Sequence, residues 1–514
     1  MEKRLHVNFR AFVVVAIAVV ASVLCVYVYM LNAAAGVVCG CLSISATIVG
    51  FVVCLIKTLR GKIKLRVAIA LGIAVALSLC AFIVGVVSYE NRNDCADRSG
   101  YRLVSGRVCA IDTRSGSYRL ELEDISFDGK RASGKMLLSL ERSDNNIAEF
   151  VDCGDILLFS AEIKHEKLIS GGYVNGYNYR TDLRYSAKVR PDAIKAEWGE
   201  PDPIERFLSS VRRLLTENMG DRYGNIAFSM LTGDKHSLYA DITDYYSAAG
   251  LGHIMAVSGL HIGFLIMLLS FLLARVDKRI KLPIMTVVIV GYTVIADFSP
   301  SVVRAAIMAV IAGSALLCGG RRDILSALSC AFSCILAVKP LYLFDVGFLL
   351  SFGAILGIAM FANTIKQSMI RHNIHGKIGD AVGASVAVTL GIIPPEICFF
   401  GKFSVIAVIA NIVLLPFVSA VFIVTLCILP IAAIPGCGQL LSASKWMFTA
   451  LDYMVYGIAQ IPFAAVSLKT GAGVFLCYPI MFFASDFFMP KRGKPIIAAY
   501  SAAACAAIIA VYAL

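Results

Sequence analysis

The side chains that could carry chemistry are concentrated in one apolar stretch near the middle of the chain. This stretch contains His253, Ser258 and His261, and the acid Asp234 precedes it. Ser258 and His261 are three residues apart and would share one face of a helix, so they could act as a nucleophile and its base. His253 and His261 are eight residues apart, and two histidines could bind a metal ion.

Both kinds of chemistry lack a usual component. No evident acid would orient the histidine of the serine–histidine pair, and an eight-residue spacing separates the two histidines by roughly 12 Å along a helix. A third interpretation is structural: Gly259 and Gly263 form a G-x-x-x-G face for close packing, and the polar groups hydrogen-bond across helices. We favour a combination, in which a tightly packed helix presents a polar stripe to a central path.

Further polar or helix-breaking residues lie where later apolar runs begin or end. Asp297 and Arg304 place an acid and a cation at the outer end of a helix pair, and Pro300 would end the first helix. In an alternative interpretation Arg304 extends toward the membrane surface and pairs with Asp297. Asp345 precedes a helix with a small, polar face that includes Ser351.

Prolines predict interruptions in two later spans. Pro394 would break one span at its outer end, and Asn411 with Pro416 would break another. Interrupted helices at membrane depth are tolerated where the backbone is buried in protein or lines water. Several such sites together favour a pore or a transporter over a passive anchor.

The elements that position these residues are membrane-spanning helices. Of the 514 residues, 58% are hydrophobic and 16% are charged, and the mean hydropathy is +0.78. Soluble proteins are roughly 45–50% apolar and about 25% charged. The composition therefore excludes a soluble enzyme, a disordered chain and a fibrous protein. Apolar runs of about 20 residues predict about ten to twelve spans, some of them broken or re-entrant.

The distribution of basic residues predicts how the chain crosses the membrane. Three apolar runs, 11–31, 33–56 and 67–88, precede a polar block, and the loop 57–66 between the last two runs is strongly basic. Short basic loops remain in the cytoplasm, which places the N-terminus inside and the block 89–200 outside. The net charge of +12 arises in such loops, so it does not indicate nucleic-acid binding. Because the first run is longer than the core of a secretory signal, we expect it to be retained.

The polar block has the pattern of a small β-domain. Five stretches with alternating apolar residues are separated by turn residues, at 102–111, 118–123, 135–140, 155–163 and 185–190. Five strands suit an OB-like barrel, although a β-sandwich has a similar pattern. If the block is extracytoplasmic, two of Cys95, Cys109 and Cys153 could form a disulfide, but the sequence does not indicate which.

After the block, residues 203–215 repeat apolar side chains at helical spacing, with arginines on the other faces. This pattern predicts an amphipathic helix on the outer membrane surface, or a linker helix packed on the β-domain. The predicted fold is thus a polytopic α-helical membrane protein with an extracytoplasmic OB-like β-barrel. Its parts are three N-terminal spans in 1–88, the β-domain in 89–200, the amphipathic helix in 201–224 and a membrane channel domain in 225–514.

Five motifs occur in order along the second half of the chain. They read Ala227-Phe-Ser-Met-Leu-Thr-Gly-Asp, Gly250-Leu-Gly-His-Ile-Met-Ala-Val-Ser-Gly-Leu-His-Ile-Gly, Pro300-Ser-Val-Val-Arg-Ala, Leu341-Tyr-Leu-Phe-Asp-Val-Gly-Phe-Leu-Leu-Ser-Phe and Ala410-Asn-Ile-Val-Leu-Leu-Pro. This ordered set resembles the ComEC-type DNA-uptake channels of bacteria. The resemblance implies a channel that passes one strand of transforming DNA through the cytoplasmic membrane during natural competence. It also implies central positions for Ser258, Gly259, His261, Arg304 and Asp345.

The resemblance further implies partners, namely a membrane DNA receptor, a cytoplasmic DNA-translocating ATPase and a separate nuclease. Whether the chain forms a homo-oligomer stays open, because the sequence does not show the oligomeric state. Many family members continue into a metallo-β-lactamase-like domain, whose chemistry needs an H-x-H-x-D-H-type cluster. This sequence has no such cluster and no G-x-x-x-x-G-K-[ST] loop, and 502–514 is an apolar segment. We therefore expect no nuclease or ATPase activity, no cofactor and no metal site in this chain.

Aromatic and basic residues of the β-domain are the candidates for DNA contact. They are Tyr173, Tyr177, Tyr179, Arg180 and Arg184, together with Tyr101, Tyr118, Arg102 and Arg119. Single strands commonly run in positively charged grooves with aromatic stacking platforms. A structural role for these residues stays open, because the block is slightly acidic. Two other functions also stay open: transport of another polymer or a small solute, and intramembrane hydrolysis by the serine–histidine cluster.

Overall fold

Helices make up most of the described part of the chain. The computed structural model describes residues 11–60, 65–93, 100–112, 119–140, 151–170, 173–234, 238–252, 259–317, 324–371, 376–404, 406–461, 465–467, 472–478 and 480. The helices are α1 (Ala11–Leu31), α2 (Ala33–Leu59), α3 (Leu65–Asn93), α4 (Gly176–Arg180), α5 (Pro203–Met219), α6 (Asp221–Thr232), α7 (Ala240–Ala248), α8 (Gly259–Leu272), α9 (Lys278–Ile295), α10 (Pro300–Leu317), α11 (Ile324–Val338), α12 (Val346–Gly357), α13 (Asn363–Arg371), α14 (Lys377–Phe400), α15 (Ala407–Ala432) and α16 (Leu441–Ala459). The strands are β1 (Gly100–Asp112), β2 (Arg119–Phe127), β3 (Lys130–Arg131), β4 (Lys135–Leu140), β5 (Ile156–His165), β6 (Ile169–Ser170), β7 (Tyr173–Val174), β8 (Leu183–Val189), β9 (Lys195–Glu197), β10 (Lys402–Ser404) and β11 (Ala465–Ser467).

Six helical stretches are long and apolar enough to cross a membrane. They are Phe12–Leu31, Ala33–Leu59, Val67–Arg92, Val346–Ile370, Gly379–Phe400 and Ala407–Ala432, and three shorter apolar helices are Gly259–Leu272, Pro300–Ser314 and Ile324–Val338. The prediction of a polytopic helical membrane protein is confirmed. Within the described residues the long spans are fewer than the ten to twelve expected, because other predicted spans form shorter helices or, like 474–488, lie largely outside those residues.

The polar block folds into a closed five-stranded barrel. β1 pairs with β2, β2 with β4, β4 in parallel with β8, and β8 with β5, and β5 pairs with β1 to complete the ring. Along β4 and β8 every second side chain is buried, as the sequence pattern predicts. Leu122, Leu138, Phe159 and Tyr185 lie in the barrel interior. The five predicted strands are confirmed, and the closed ring identifies an OB-like barrel rather than a sandwich.

Ionic and aromatic contacts hold the barrel against the membrane helices. Arg92, near the end of α3, donates to the Asp182 carboxylate at 3.0 Å, and its guanidinium lies 5.8 Å from the Tyr179 ring centre. Arg180, on α4, forms an ion pair with Asp345 at 3.3 Å. These contacts therefore connect the barrel to the end of α3 and to the start of α12.

Helix α5 bridges the barrel and the membrane helices. Its Leu215 and Met219 are fully buried in an apolar cluster to which α6, α7 and α16 also contribute. At its other end, the N-cap residue Asp202 pairs with Arg107 of β1 at 3.0 Å. Ile204 and Phe207 are about half exposed. The helix thus packs on the membrane domain and contacts the barrel at its start, and its location on a membrane surface stays a prediction.

The predicted proline breaks in α14 and α15 are wrong. Helix α14 continues through Pro394 and Pro395, and α15 continues through Pro416. Pro395 has no N–H to offer the Gly391 carbonyl, and the Tyr478 hydroxyl donates to that carbonyl at 2.8 Å instead. The regular α-helical pattern is interrupted elsewhere, by a π-helical segment, Ile358–Ala362, between α12 and α13.

Candidate functional site

A large cavity lies between the barrel and five membrane helices. Its volume is about 2730 Å³; helices α8, α10, α12, α14 and α15 surround it, and the barrel and α5 border one end. Along α14 the lining residues extend from Ala381 to Phe400, a distance of about 28 Å at 1.5 Å per residue. The hydrocarbon core of a bilayer is about 30 Å thick. The cavity therefore follows α14 over nearly the depth that a path across a membrane requires.

Arg304 is a buried cation on the cavity wall. It belongs to α10, which begins at Pro300 instead of following a helix that ends there, and only 4% of the residue is exposed. Its Nη1 donates to the Ser351 carbonyl, and its guanidinium lies 5.7 Å from the Phe352 ring centre. Its Nε has no hydrogen-bond partner within the described residues. The interpretation in which Arg304 pairs with Asp297 is therefore wrong, since its bond is to a main-chain oxygen on α12.

Two glycines of α8 shape the wall beside Arg304. A Cβ added at Gly259 would lie 2.4 Å from Nη2 of Arg304, so only glycine leaves room for the guanidinium in its present position. A Cβ added at Gly263 would meet no atom within 4 Å, although this residue lines the cavity. The predicted helix-packing face is therefore wrong at Gly263, which borders open space.

His261 lies on the face of α8 that packs against α15. The residue is 1% exposed, and its ring centre is 4.8 Å from that of Phe422 and 6.3 Å from that of Phe264. It does not belong to the cavity lining that the structure describes. The predicted polar stripe is therefore wrong for this residue, because aromatic packing takes up its ring. His253 and Ser258 lie outside the described residues.

Asp345 connects the barrel to the start of α12 at the edge of the cavity. Its carboxylate accepts a hydrogen bond from the Phe348 N–H at 2.9 Å, which caps the helix, and it pairs with Arg180. Burial raises the pKa of the Asp345 carboxyl, and the Arg180 guanidinium opposes that rise. Asp345 and Ser351 both line the cavity, Asp345 at the start of α12 and Ser351 near its middle.

The other predicted membrane residues are spread over the cavity walls. Asn411 and Pro416 line the cavity on α15, and Asp234 lines it just after α6. Asn411 is 7% exposed, and its Oδ1 has no hydrogen-bond partner in the described parts of the chain. Pro394 is buried in α14 and is not one of the lining residues described. Three of these four residues thus border the same space as Arg304.

The candidate DNA-binding residues of the barrel separate into two groups. Tyr179 is buried against the membrane helices, and Arg184 is held in an ion pair with a neighbouring carboxylate. Tyr177 and Arg180 line the cavity, and the Arg180 guanidinium lies 5.4 Å from the Tyr177 ring centre. Tyr173 is 69% exposed but does not line the described cavity. Only the second group is placed where a molecule in the cavity could touch it.

Trp198 is a lining residue that the sequence patterns do not single out. It follows β9, the strand that pairs with the start of β5, and 85% of its surface is exposed. The chain has two tryptophans, and one of them stands just after β9. The rarity of tryptophan is the sequence signal that could have identified Trp198. Tryptophan has a large apolar ring with a polar N–H, and such side chains are enriched where proteins bind partners.

The cavity lining carries more uncompensated acids than bases. Within the described residues, the lining carboxylates with neither an ion pair nor a hydrogen bond are Glu121, Asp152, Asp244, Asp297 and Glu396. Among the described lining cations, Arg213 is in the same condition, and Arg212 and Arg304 have hydrogen bonds to neutral oxygens but no ion pair. A groove that holds a nucleic acid by its phosphates needs an excess of cations. This lining does not provide one.

The chain is recognisable from its second half. Residues 230–492, about half of the chain, match the family described as Competence protein. The chain belongs to this family. ComE operon protein 3 of Bacillus subtilis (strain 168) is 29% identical to it over 297 residues, which are 56% of this chain and 36% of that relative. The chain therefore spans about a third of the relative's length, and no solved structure matches it.

The family match covers one part of the chain and leaves the part before residue 230 outside. It covers helices α7 to α16, which provide most of the cavity wall and carry Arg304, Asp345 and Asn411. The first three spans, the barrel and α5 lie outside it. The resemblance inferred from the sequence motifs is thus confirmed for the helices that surround the cavity.

A polar cluster beside the cavity fixes α7 of the competence protein to α16. Arg222 donates to the Asp452 carboxylate at 3.2 Å and to that of Asp241 at 3.1 Å, and the Tyr245 hydroxyl also donates to Asp452. Asp452 is 7% exposed. Since α7 precedes the central motif, this cluster holds one end of that motif in place.

We expect Asp452→Asn to lower the free energy of unfolding by about 1–2 kcal/mol, because the amide keeps the shape but loses the charge that binds Arg222. Thermal unfolding of the purified protein in detergent measures this change. The matched control is Asp244→Asn, which removes a carboxylate without an ion pair among the described residues and should unfold like the wild type. Equal stability of both variants would contradict the assignment.

Proposed function

We propose that this protein conducts one strand of DNA across the cytoplasmic membrane during natural competence. The observation that carries the proposal is the cavity, which follows α14 for about 28 Å at the helical rise of 1.5 Å per residue and is walled by the helices of the competence match. A polar polymer can cross hydrocarbon only through such a protein-lined space. The sequence motifs around Arg304, Asp345 and Asn411 support the same function.

In this proposal the barrel faces the outside. The basic loop 57–66 lies between two spans and favours a cytoplasmic position, and an odd number of spans then separates it from the barrel. DNA would enter at the barrel end of the cavity and leave near the cytoplasmic end of α14. Because we expect no nuclease or ATPase activity in this chain, a receptor, a separate nuclease and a DNA-translocating ATPase would act as partners.

The sharpest test closes the cavity without disturbing its wall. Gly263 lines the cavity, and a Cβ added there would meet no atom within 4 Å. Gly263→Phe therefore places a ring in the cavity, and its Cβ does not clash with the wall. The matched control is Gly291→Phe on α9, whose Cβ would also meet no atom within 4 Å but which is exposed and does not line the cavity. Both variants are expressed in a transformable host that lacks the gene.

We expect the wild type and Gly291→Phe to restore uptake of labelled DNA, and Gly263→Phe to reduce it at least about tenfold at an equal amount of membrane-inserted protein. A tenfold difference between the two phenylalanine variants comes from the location of the ring alone, because the added volume is the same. Normal uptake in the strain without the gene would overturn the proposal, as would full activity of Gly263→Phe.

The surplus of free carboxylates in the lining favours a second candidate, a transporter of a cationic polymer or solute. Acidic walls concentrate cations and repel a polyanion. The two candidates differ in their cargo: a labelled cationic peptide should enter cells that contain the protein if this second function holds, and DNA uptake should be unaffected by loss of the gene.

A further inference from the structure

The barrel end of the cavity presents two aromatic rings to the space inside. Trp198 is 85% exposed, and Tyr177 is about half exposed, and both line the cavity. Burial of a tryptophan ring is strongly favourable, so an indole left in contact with water in a folded domain has surface available for a ligand. The two residues come from different parts of the barrel chain, after β9 and within α4.

The backbone that carries Trp198 is held firmly. β9 is hydrogen-bonded to β5 up to the residue before the indole. On the other side, the Gly199 N–H donates to the Asp155 carboxylate at 3.3 Å. A Cβ added at Gly199 would lie 2.0 Å from the Gly154 carbonyl oxygen, so there is no room for a side chain at this position. The backbone at Trp198 is therefore already ordered, so a ligand that binds there has to order little more than the side chain.

Tyr177 is held in a similar way. The Arg180 guanidinium lies 5.4 Å from its ring centre, and Arg180 is itself paired with Asp345 at the start of α12. The charge of Arg180 is thus engaged on both sides. Tyr177 and Arg180 together therefore offer a ligand mainly the aromatic surface of the tyrosine ring.

The charges of the cavity lining disfavour firm binding of phosphates at the barrel end. Among the described lining residues, five carboxylates lack a partner, and Arg213 on α5 is the cation without a partner, whereas Arg304 lies on α10 among the membrane helices and not on the barrel or α5. A protein that neutralises Z phosphates of a single strand shows a salt slope of about −0.7Z. With one available cation, an increase from about 50 to about 200 mM salt should weaken binding only about threefold.

We propose that the barrel end of the cavity binds the unpaired bases of a single strand by stacking on Trp198, with Tyr177 as a second platform, and makes little use of the phosphates. This inference rests on the proposed function and adds the part of the DNA that is recognised. Bases in a duplex are already stacked on each other, so the site would accept single strands and reject duplex DNA. Weak phosphate contact at the barrel end would also let the strand slide past the two rings.

The two tryptophans make the test direct. Trp446 lies on α16 at 75% exposure and outside the described cavity lining, so Trp446→Phe leaves Trp198 as the sole tryptophan. The purified full-length Trp446→Phe protein is titrated in detergent with a thymidine oligonucleotide, an abasic oligonucleotide of equal length and a duplex. Quenching of tryptophan emission reports stacking, and the titration is repeated at low and at physiological salt.

We expect quenching by the thymidine oligonucleotide alone, with an affinity that falls about threefold over that salt range. Without the Trp446 change, Trp198→Ala should weaken binding of a fluorescently labelled thymidine oligonucleotide at least about tenfold, Trp198→Phe should keep most of it, and Tyr453→Ala should bind normally. Tyr453 on α16 is the control because it is 72% exposed but does not line the described cavity.

Equal binding of the abasic and thymidine oligonucleotides would overturn the inference, as would unchanged affinity in Trp198→Ala. Either result leaves the channel proposal intact if Gly263→Phe still blocks uptake and Gly291→Phe does not. If Trp198→Ala loses binding while loss of the gene leaves uptake normal, the stacking site stands and the channel fails.

Discussion

Replacing Arg304 with methionine should reduce DNA uptake at least about a hundredfold without lowering the stability of the protein. The guanidinium is the buried cation of the cavity wall, it has a free Nε within the described residues, and its bond is to the Ser351 main-chain carbonyl rather than to an acid. Loss of one charge-assisted contact with a passing anion costs about 2–3 kcal/mol, which corresponds to about a hundredfold in rate or affinity.

We expect the free energy of unfolding of Arg304→Met to stay the same or to rise, although its DNA uptake falls. Buried ionic groups that are replaced by apolar residues of similar volume often leave a protein as stable as before, or more stable by about 1–4 kcal/mol, because a charge no longer has to be desolvated. A structural arginine would behave differently, since its loss would destabilise the fold. Uptake of labelled DNA and thermal unfolding in detergent together separate the two roles.

The controls follow from the contacts. Arg304→Lys keeps the charge but not the planar fork, so we expect it to retain part of the uptake. Ser351→Ala should be tolerated, because the acceptor is the main-chain carbonyl and not the hydroxyl. A strongly destabilised Arg304→Met protein, or one with normal uptake, would show that the guanidinium supports the fold or does nothing in transport.

Gly357→Leu should destabilise the membrane domain by more than about 3 kcal/mol, the upper end of the usual cost of overpacking. A Cβ at this position would lie 2.1 Å from the Ala387 carbonyl of α14. The same two helices also approach at Gly353 and Gly391, where an added Cβ would lie 2.6 and 2.1 Å from the facing carbonyl oxygens. Main-chain atoms cannot move aside as a flexible side chain can, so α12 and α14 would have to separate.

Thermal unfolding of purified protein in detergent measures this effect, and we expect either a large fall in melting temperature or no folded protein. The matched control is Gly457→Leu on α16, where a Cβ would meet no atom within 4 Å and the residue is exposed. The control should unfold at the wild-type temperature. Similar melting of the two leucine variants would refute close packing of α12 on α14.

Elements with a local signature were predictable from the sequence. The first apolar run coincides with α1, Ala11–Leu31, and the third barrel stretch coincides with β4, Lys135–Leu140. Long apolar runs and alternating burial depend on neighbouring residues only. The family motifs were predictable for the same reason, since each is a short continuous segment.

Features that depend on distant partners were not predictable. The spacing of Ser258 and His261 predicts one shared helix face but does not tell which helix that face would meet. For His261 the structure shows that Phe422 on α15 packs against the ring. Likewise, a rule that proline interrupts a helix does not show that Tyr478 supplies the missing donor to Gly391. Trp198 was missed because its role depends on exposure at a cavity, which no local pattern records.

The main-chain contact of α12 with α14 has a mechanical consequence. Gly353 and Gly357 touch α14 through backbone atoms, so rotation of side chains cannot part these two helices. If the cavity widens to pass a polymer, as the proposed function requires, the seam between α12 and α14 is the part of its wall that we expect to stay closed. The widening would then have to come from other helices of the wall, such as α8, where Gly263 borders open space.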